Sequence, residues 1–135
     1  MKLARCMAKT STFKRQKMGS VIVYKKTVIS SAANSYKTHP LQKEYNILRF
    51  DDDSCPHYLH AEMAALIPLQ NLNIDWSKVH LFTYRVMRSR KSGYARPCRS
   101  CMKYIKSLGI KNIYYSTDNG YNHEILQNED VIKND

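Results

Sequence analysis

The second half of the chain alternates helix-like and strand-like patterns, and this order restricts the fold more than any other feature. The predicted elements are a helix at 60–71, a strand at 78–86, a helix at 96–109 and a strand at 111–117. Pro68 is expected to end or kink the helix at 60–71, and Gly109 is expected to cap the helix at 96–109. Strands that alternate with helices form a sheet with helices on both faces. We predict one α/β domain, residues 1–135, folded as a three-layer α/β/α sandwich with a mixed five-stranded sheet.

The remaining segments complete this sheet. They are an amphipathic helix at 2–15, strands at 20–24 and 27–33, an irregular stretch at 35–58, and a last strand after Asn119-Gly120. The N-terminal helix at 2–15 is expected to turn Leu3, Ala4 and Met7 inward. Lys25-Lys26 separates the first two strands as a tight hairpin would. An Asn-Gly pair favours a hairpin turn, so we predict that the last strand runs antiparallel to its neighbour.

The charge of the chain is strongly positive and unevenly distributed. Lys and Arg number 22 against 11 Asp and Glu, a net charge of +11, and segments 1–43 and 76–117 contain no acid. Such segments form either a solvated surface or a positive face for phosphate, whether of one nucleotide or of a strand. No run approaches the roughly 18 apolar residues of a membrane span, and the basic segment 1–17 lacks the apolar block of about 7 to 15 residues that a secretory signal needs. We predict a cytoplasmic protein without membrane contact.

Two cysteines have the spacing of metal ligands. Cys98 and Cys101 follow Pro97 at the start of a predicted helix, where both sulfurs share one face and the helix N-terminus favours thiolates. A catalytic zinc takes three protein ligands and leaves the fourth position to water. His60 is the natural third ligand, because parallel neighbouring strands would bring the two helix starts together. Glu62 would then face the open position.

Alone, His60 and Glu62 are better explained as a capping histidine and a first-turn acid than as site residues. The combination of H-x-E at 60–62 with P-C-x-x-C at 97–101 is more specific. It resembles the cytidine deaminase-like superfamily, in particular the CMP/dCMP-type zinc-dependent deaminases. The resemblance extends from the first hairpin through the second motif and the strand that follows it. It implies one zinc per chain on His60, Cys98 and Cys101, with Glu62 as the catalytic proton carrier, and a homo-oligomer.

The resemblance also implies substrate contacts at residues in or beside the motifs. These are Asn34, Ala61, Thr83, Tyr84 and Pro97. The chain departs from the family at residues 85–96, an insert before the P-C pair. The candidate phosphate ligands of this insert are Arg88, Arg90, Lys91 and Arg96. A second zinc on Cys6, Cys55 and His57 is not favoured, because no C-x-x-C spacing supports it.

Three functions remain open. The first, which we expect, is hydrolytic deamination of cytosine to uracil in a free nucleotide, with release of ammonia. The second is deamination of a cytosine or adenine base within single-stranded DNA or RNA, which Tyr94 among the arginines of the insert would suit by stacking. The third is a non-catalytic, zinc-stabilised nucleic-acid-binding module. Glu62 argues against the third, since a structural zinc site has no use for an uncoordinated carboxylate.

Overall fold

The computed structural model describes residues 1–12, 16–50, 58–89 and 91–127. The helices in this part of the chain are α1 (Lys2–Lys9), α2 (Pro40–Phe50), α3 (Ala61–Leu66) and α4 (Arg99–Leu108), with 3-10 turns at Ile67–Leu69 and Trp76–Lys78. The strands are β1 (Lys17–Tyr24), β2 (Thr27–Ala33), β3 (Ser35–Thr38), β4 (Tyr58–Leu59), β5 (Val79–Val86), β6 (Ser92–Gly93), β7 (Asn112–Thr117) and β8 (Gly120–Ile125).

The main sheet has the strand order β2-β1-β5-β7-β8, and β6 pairs with the end of β5. β5 and β7 are parallel, whereas β1 with β2, β1 with β5, and β7 with β8 are antiparallel. The mixed α/β sheet and the antiparallel last strand are therefore confirmed. The two-residue β6 is an addition to the predicted five strands, and β3 and β4 form a separate small ladder.

The turns follow from local residue chemistry. Lys25 and Lys26 have positive φ angles of 50° and 65° and join β1 to β2, as the predicted tight hairpin requires. Gly109 closes α4 in the left-handed conformation, with φ 98°. Pro68 lies in the 3-10 turn that follows α3, which confirms that the predicted helix is interrupted there.

Helix α1 is shorter than predicted and lies on one face of the sheet through its small residues. It ends at Lys9, and the hydroxyl of Thr10 donates to the carbonyl of Met7 at 2.7 Å. Ala4 and Ala8 are fully buried, but Leu3 is 43% exposed, so the predicted inward position of Leu3 was wrong. The orientation of α1 depends on Gly19, which has no side chain. A Cβ at this position would lie 2.2 Å from the backbone nitrogen of Ala8. The helix backbone therefore sits directly on β1.

Segment 35–58 was predicted to be irregular, and this prediction was wrong for its described part. It contains β3 and the eleven-residue helix α2, while residues 51–57 lie outside the described part of the chain. Pro40 is the first residue of α2, a position that suits its fixed φ and missing N–H. The ring Nδ1 of His39 accepts from the backbone N–H of Leu41 at 3.1 Å. These start signals were present in the sequence but were interpreted as turn formers.

Helices α3 and α4 cover the other face of the sheet and enclose the main core. Ser30 of β2 donates its hydroxyl to the carbonyl of Ala65 in α3 at 2.7 Å. Tyr45 of α2 packs edge-on against Tyr104 of α4, so α2 docks on the outside of α4. The largest fully buried apolar side chains are Ile22, Met63, Leu66, Leu81, Ile105, Ile110 and Ile113. Among the described residues, no helix is long and apolar enough to span a membrane.

Candidate active site

Three potential metal ligands meet where helices α3 and α4 begin. His60 and Cys98 are the N-cap residues of the two helices, and Cys101 lies in the first turn of α4. The His60 Nδ1 atom lies 3.1 Å from Cys101 Sγ and 3.4 Å from Cys98 Sγ. The predicted set is thus brought together, although His60 and Cys101 are 41 positions apart in the chain.

The donor set fits zinc. One ligand atom of each residue lies within 4.8 Å of the other two. Nitrogen and sulfur atoms that share one zinc ion at about 2.0–2.3 Å are separated by similar distances. Two thiolates and one imidazole are three ligands, the number found in catalytic rather than structural zinc sites. His60, Cys98 and Cys101 are therefore the residues that would hold the ion.

The pKa values of the two cysteine thiols are shifted in opposite directions. Hydrogen bonds from the Cys101 thiol and from the His60 ring hold the pKa of Cys98 far below the usual value for a thiol. The hydroxyl of Ser100 lies 3.1 Å from the Cys98 sulfur and contributes in the same direction. The hydrogen bond to Cys98, together with complete burial, raises the pKa of Cys101. A thiolate is thus already favoured at Cys98, which is the form that binds a metal.

Glu62 is a buried carboxyl group beside the cluster. Its side chain is 2% exposed, and its Oε1 atom has no hydrogen-bond partner among the described residues. Burial raises the pKa of Glu62 to about 7, and the charge of Cys98 adds to this effect while His60 opposes it. A carboxyl group with a pKa near neutrality can both accept and return a proton, as a general acid–base catalyst must.

A cavity of about 320 Å³ opens onto this centre. His60, Glu62 and Cys98 line its floor. Its walls include Met18, Asn34, Tyr58, Arg85, Tyr94 and Arg96. The volume and the mixture of apolar and polar walls are typical of a small-molecule site.

Asn34 lies in the wall of the cavity, where the family resemblance placed a sugar-binding residue. Its Oδ1 accepts from the backbone N–H of Met18 at 3.0 Å and from the hydroxyl of Ser11. Its Nδ2 donates to the carbonyl of Gln16 at 2.7 Å. These bonds fix the amide so that one N–H of Nδ2 is left for another acceptor. Contact of Asn34 with a sugar stays a prediction.

The other four predicted substrate residues lie outside the lining of this cavity. The hydroxyl of Thr83 is buried and lies 3.0 Å from that of Ser20 on the neighbouring strand. Tyr84 points to the other face of β5 from Thr83, and it pairs with Gly19 on the neighbouring strand β1. Ala61 and Pro97 are buried beside the metal ligands. Their substrate roles stay predictions, with less geometric support than Asn34 has.

The basic insert divides into residues inside and outside the cavity. Arg88 and Lys91 are exposed and outside its lining, and Arg90 lies outside the described residues. Arg96 lines the cavity but makes an ion pair with Glu124.

Arg85 begins the basic insert but was not among the candidate phosphate ligands predicted from the sequence. Its buried Nε has no hydrogen-bond partner among the described residues. The available signal was the position of Arg85 near the end of a predicted strand, as the first residue of the insert.

Gln42 is a residue that sequence reasoning missed. Its side chain is completely buried and accepts a hydrogen bond from the backbone N–H of His60 at 3.1 Å. It lies in α2, the helix that was mistaken for irregular chain, so nothing pointed to it.

The candidates for a second zinc are not brought together in the described part of the chain. Cys6 is exposed on α1, and Cys55 and His57 lie outside the described residues. Within the described residues, the potential metal-binding group is His60, Cys98 and Cys101.

A mixed sheet whose two helix starts hold a His-Cys-Cys cluster and a buried glutamate defines the cytidine deaminase-like class. The family model described as "Cytidine and deoxycytidylate deaminase zinc-binding region" matches residues 1–117, and the chain belongs to this family. The structure is similar to the crystal structure of dCMP deaminase from the cyanophage S-TIM5 in apo form. The TM-score is 0.59 at 24% identity, with 98% of this chain and 86% of that chain covered.

A second crystal structure of the cyanophage S-TIM5 dCMP deaminase, in complex with dCMP and dUMP, is also similar. Its TM-score is 0.57 at 23% identity, with 84% of this chain and 75% of that chain covered. At such identities the likeness shows the shared fold. A comparison with curated proteins gave no match.

Proposed function

We propose that this protein is a zinc-dependent deaminase that hydrolyses the cytosine of a free 5′-nucleotide, dCMP or CMP, to uracil with release of ammonia. The observation that carries the proposal is the presence of Arg85, with an unpartnered buried Nε, in the same cavity as Glu62 and the metal-ligand cluster. Membership of the deaminase family supports the reaction type. The similar structure that binds dCMP and dUMP supports the substrate class.

The chemistry requires a proton carrier at the floor of the cavity. Zinc held by His60, Cys98 and Cys101 would supply Lewis acidity to this reaction. Glu62 takes a proton from the attacking water at its unpartnered Oε1 and delivers it to the ring nitrogen beside the amino-bearing carbon. Glu62 then takes the remaining proton of the added oxygen and passes it to the amino group, so that the carbon–nitrogen bond breaks and cytosine and water become uracil and ammonia. Burial of Glu62 keeps this transfer away from bulk solvent.

Arg85 is held where it can meet an anion. It pairs with Met18 of β1 and with Gly93 of β6, so strands flank it on both sides. A Cβ at Gly93 would lie 2.6 Å from the Met87 Sδ and 3.1 Å from the Arg85 Cδ, so both side chains pack against the glycine. A buried Nε–H group without an acceptor is costly unless a ligand provides one. A phosphate group is a strong acceptor for arginine, and one phosphate suffices for a mononucleotide.

The test compares dCMP with deoxycytidine, which lacks the phosphate. For the wild type we expect a much higher kcat/KM for dCMP. The Arg85→Gln variant should lose about tenfold to one hundredfold of kcat/KM for dCMP, the effect of a charged hydrogen bond of about 1.5–3 kcal/mol, and should keep its activity on deoxycytidine.

Arg88→Gln is the matched control, because Arg88 is exposed and does not line the cavity. This variant should have the wild-type kcat/KM for both dCMP and deoxycytidine. Equal use of dCMP and deoxycytidine by the wild type would rule out recognition of a 5′-phosphate. Equal losses in both arginine variants would show a general effect of charge instead of a phosphate site.

A second candidate, deamination within a single strand, has its own supporting observation. Tyr58 and Tyr94 line the cavity and are 38% and 56% exposed, and Tyr36 packs edge-on against Tyr58. Exposed tyrosines beside basic residues can stack bases while the cations contact phosphates. Arg88 and Lys91 would then follow the backbone of the strand.

The salt dependence of binding distinguishes this candidate. Affinity for single-stranded DNA or RNA should fall with a log–log slope of about −0.7 for each phosphate contacted. Replacing Arg88, Arg90 and Lys91 together should reduce that slope and leave dCMP turnover unchanged. Absence of measurable binding to single strands at low salt would eliminate the candidate.

The non-catalytic module has the least support. A structural site would gain nothing from Glu62, a buried carboxyl group whose Oε1 has no partner in the described part of the chain. Zinc content without ammonia release from any cytosine or adenine substrate would favour this module. The homo-oligomer, the single domain over residues 1–135 and the cytoplasmic location stay predictions, and size-exclusion chromatography tests the first.

A further inference from the structure

Gln42 connects helix α2 to the metal-ligand cluster. It is completely buried, and its Oε1 accepts from the backbone N–H of His60 at 3.1 Å. A backbone N–H can only donate, so the oxygen of the amide must face His60. The amino group of the same side chain is therefore turned away from His60.

The side chain of Gln42 also forms a hydrogen bond with the sulfur of Cys101. Because the amide oxygen faces His60, the group that reaches this sulfur is the amide N–H, which donates. One side chain thus contacts two of the three ligand residues, on two different helices. The arrangement has a parallel at Cys98, whose sulfur lies 3.1 Å from the Ser100 hydroxyl.

We propose that Gln42 is a positioning residue of the metal centre, which holds His60 and Cys101 in register and draws electron density from the Cys101 thiolate. Groups that hydrogen-bond to metal ligands orient them and adjust their basicity, and their loss commonly costs about 10–100-fold in metal affinity or activity. Reduced donation from one thiolate leaves the ion a stronger Lewis acid. The inference rests on metal binding by the cluster and not on the identity of the substrate.

Gln42→Met tests the proposal, since it retains the length of the side chain and removes both hydrogen bonds. We expect the zinc dissociation constant to rise about 10–100-fold. In the cobalt-loaded protein, the thiolate-to-cobalt charge-transfer band should move to longer wavelength. The reason is that a sulfur without its N–H donor gives up charge more easily.

The matched control is Tyr45→Ala on the same helix. Tyr45 docks α2 against Tyr104 of α4, and its loss weakens that packing without removing a bond to the cluster. The control should retain the wild-type zinc affinity and the wild-type cobalt band. A Gln42→Met protein with both values unchanged would overturn the proposal, as would a Tyr45→Ala protein with the same band shift.

A measurement on the wild type avoids dependence on the folding of the variant. In protein labelled with nitrogen-15 and loaded with cadmium-113, a side-chain amide proton of Gln42 should show scalar coupling to cadmium through the Cys101 sulfur. The exposed amide of Gln70 serves as the internal reference without coupling. Absence of coupling at Gln42 in the metal-loaded protein would contradict the proposal. A metal-loaded wild type that shows the coupling but deaminates no nucleotide would overturn only the proposed function.

Discussion

Arg96 and Glu124 form a two-point ion pair, in which Arg96 Nε donates to Oε2 at 2.6 Å and Nη2 donates to Oε1 at 3.1 Å. Tyr115 donates its hydroxyl to the same Oε2 at 2.6 Å. The pair joins the end of the insert to the edge strand β8. Arg96 was predicted as a phosphate ligand, and its charge is already matched by a carboxylate.

The pair predicts a specific pH dependence of stability. Hydrogen bonds from Arg96 and Tyr115 lower the pKa of Glu124. This contribution to stability is fully present above the ordinary carboxyl pKa of about 4.3 and is lost as the pH falls through the lowered value. We expect Glu124→Gln to be less stable than the wild type near neutral pH and to approach it below about pH 4. Denaturant unfolding at a series of pH values measures the difference.

The energy of the Arg96–Glu124 pair should be small, because the side chains are 41% and 32% exposed. A double-mutant cycle with Arg96→Gln and Glu124→Gln should give a coupling energy of about 0.2–1 kcal/mol. Arg96→Gln should also affect dCMP turnover less than Arg85→Gln does. A larger loss at Arg96 would mean that the ion pair opens to receive the phosphate.

Metal removal should lower the stability of the whole domain, because one ion would tie the starts of α3 and α4 together. We expect one zinc per chain by elemental analysis. At a free zinc concentration one hundred times the dissociation constant, the bound ion contributes about 2.7 kcal/mol, which a chelator should remove.

The Cys98→Ser, Cys101→Ser double variant should bind no zinc and unfold at lower denaturant than the wild type. Cys6→Ser is the control, because Cys6 is exposed on α1, and it should retain the metal. A folded, zinc-loaded double variant would contradict the ligand assignment. Two zinc ions per chain would bring back the candidate site that includes Cys55 and His57.

Glu62→Gln should separate metal binding from turnover. Glutamine has nearly the same shape, so the fold and the zinc content should be unchanged. It cannot carry a proton between water, ring nitrogen and amino group, and kcat should fall by about 10²–10⁴-fold. Ammonia release from dCMP measures the loss. Near-normal turnover would show that another group carries the proton.

Gly19→Ala should destabilise the protein by displacing α1. The added Cβ would lie 2.2 Å from the backbone nitrogen of Ala8 and 2.4 Å from the carbonyl oxygen of Ala4, atoms that cannot move separately from the helix. Overpacking of this kind costs about 1–3 kcal/mol. Leu3→Ala, on the exposed side of the same helix, should change the free energy of unfolding by less than about 0.5 kcal/mol. Similar effects of the two substitutions would contradict the observed orientation of α1.

Local sequence was sufficient for the elements whose signals are short in range. The hairpin at Lys25-Lys26, the cap at Gly109 and the interruption at Pro68 depend on backbone preferences of the residues themselves. Helix α2 was missed because turn-forming residues around it were read as irregular chain. The extent of α1 was overestimated, and Leu3 was placed inward. The amphipathic pattern of α1 contains no information about Gly19, which lets the small side chains of the helix face the sheet.

The sequence by itself indicated the candidate centre, since H-x-E and P-C-x-x-C predict ligand types, their order and their places at helix starts. Only the tertiary structure decided which polar side chains lie beside that centre. Arg85 faces the cavity, whereas Arg96 is neutralised by Glu124, 28 positions away. Gln42 reaches His60 from 18 positions earlier in the chain. The physical reason is that burial and pairing depend on contacts between distant segments, which no local pattern of residues encodes.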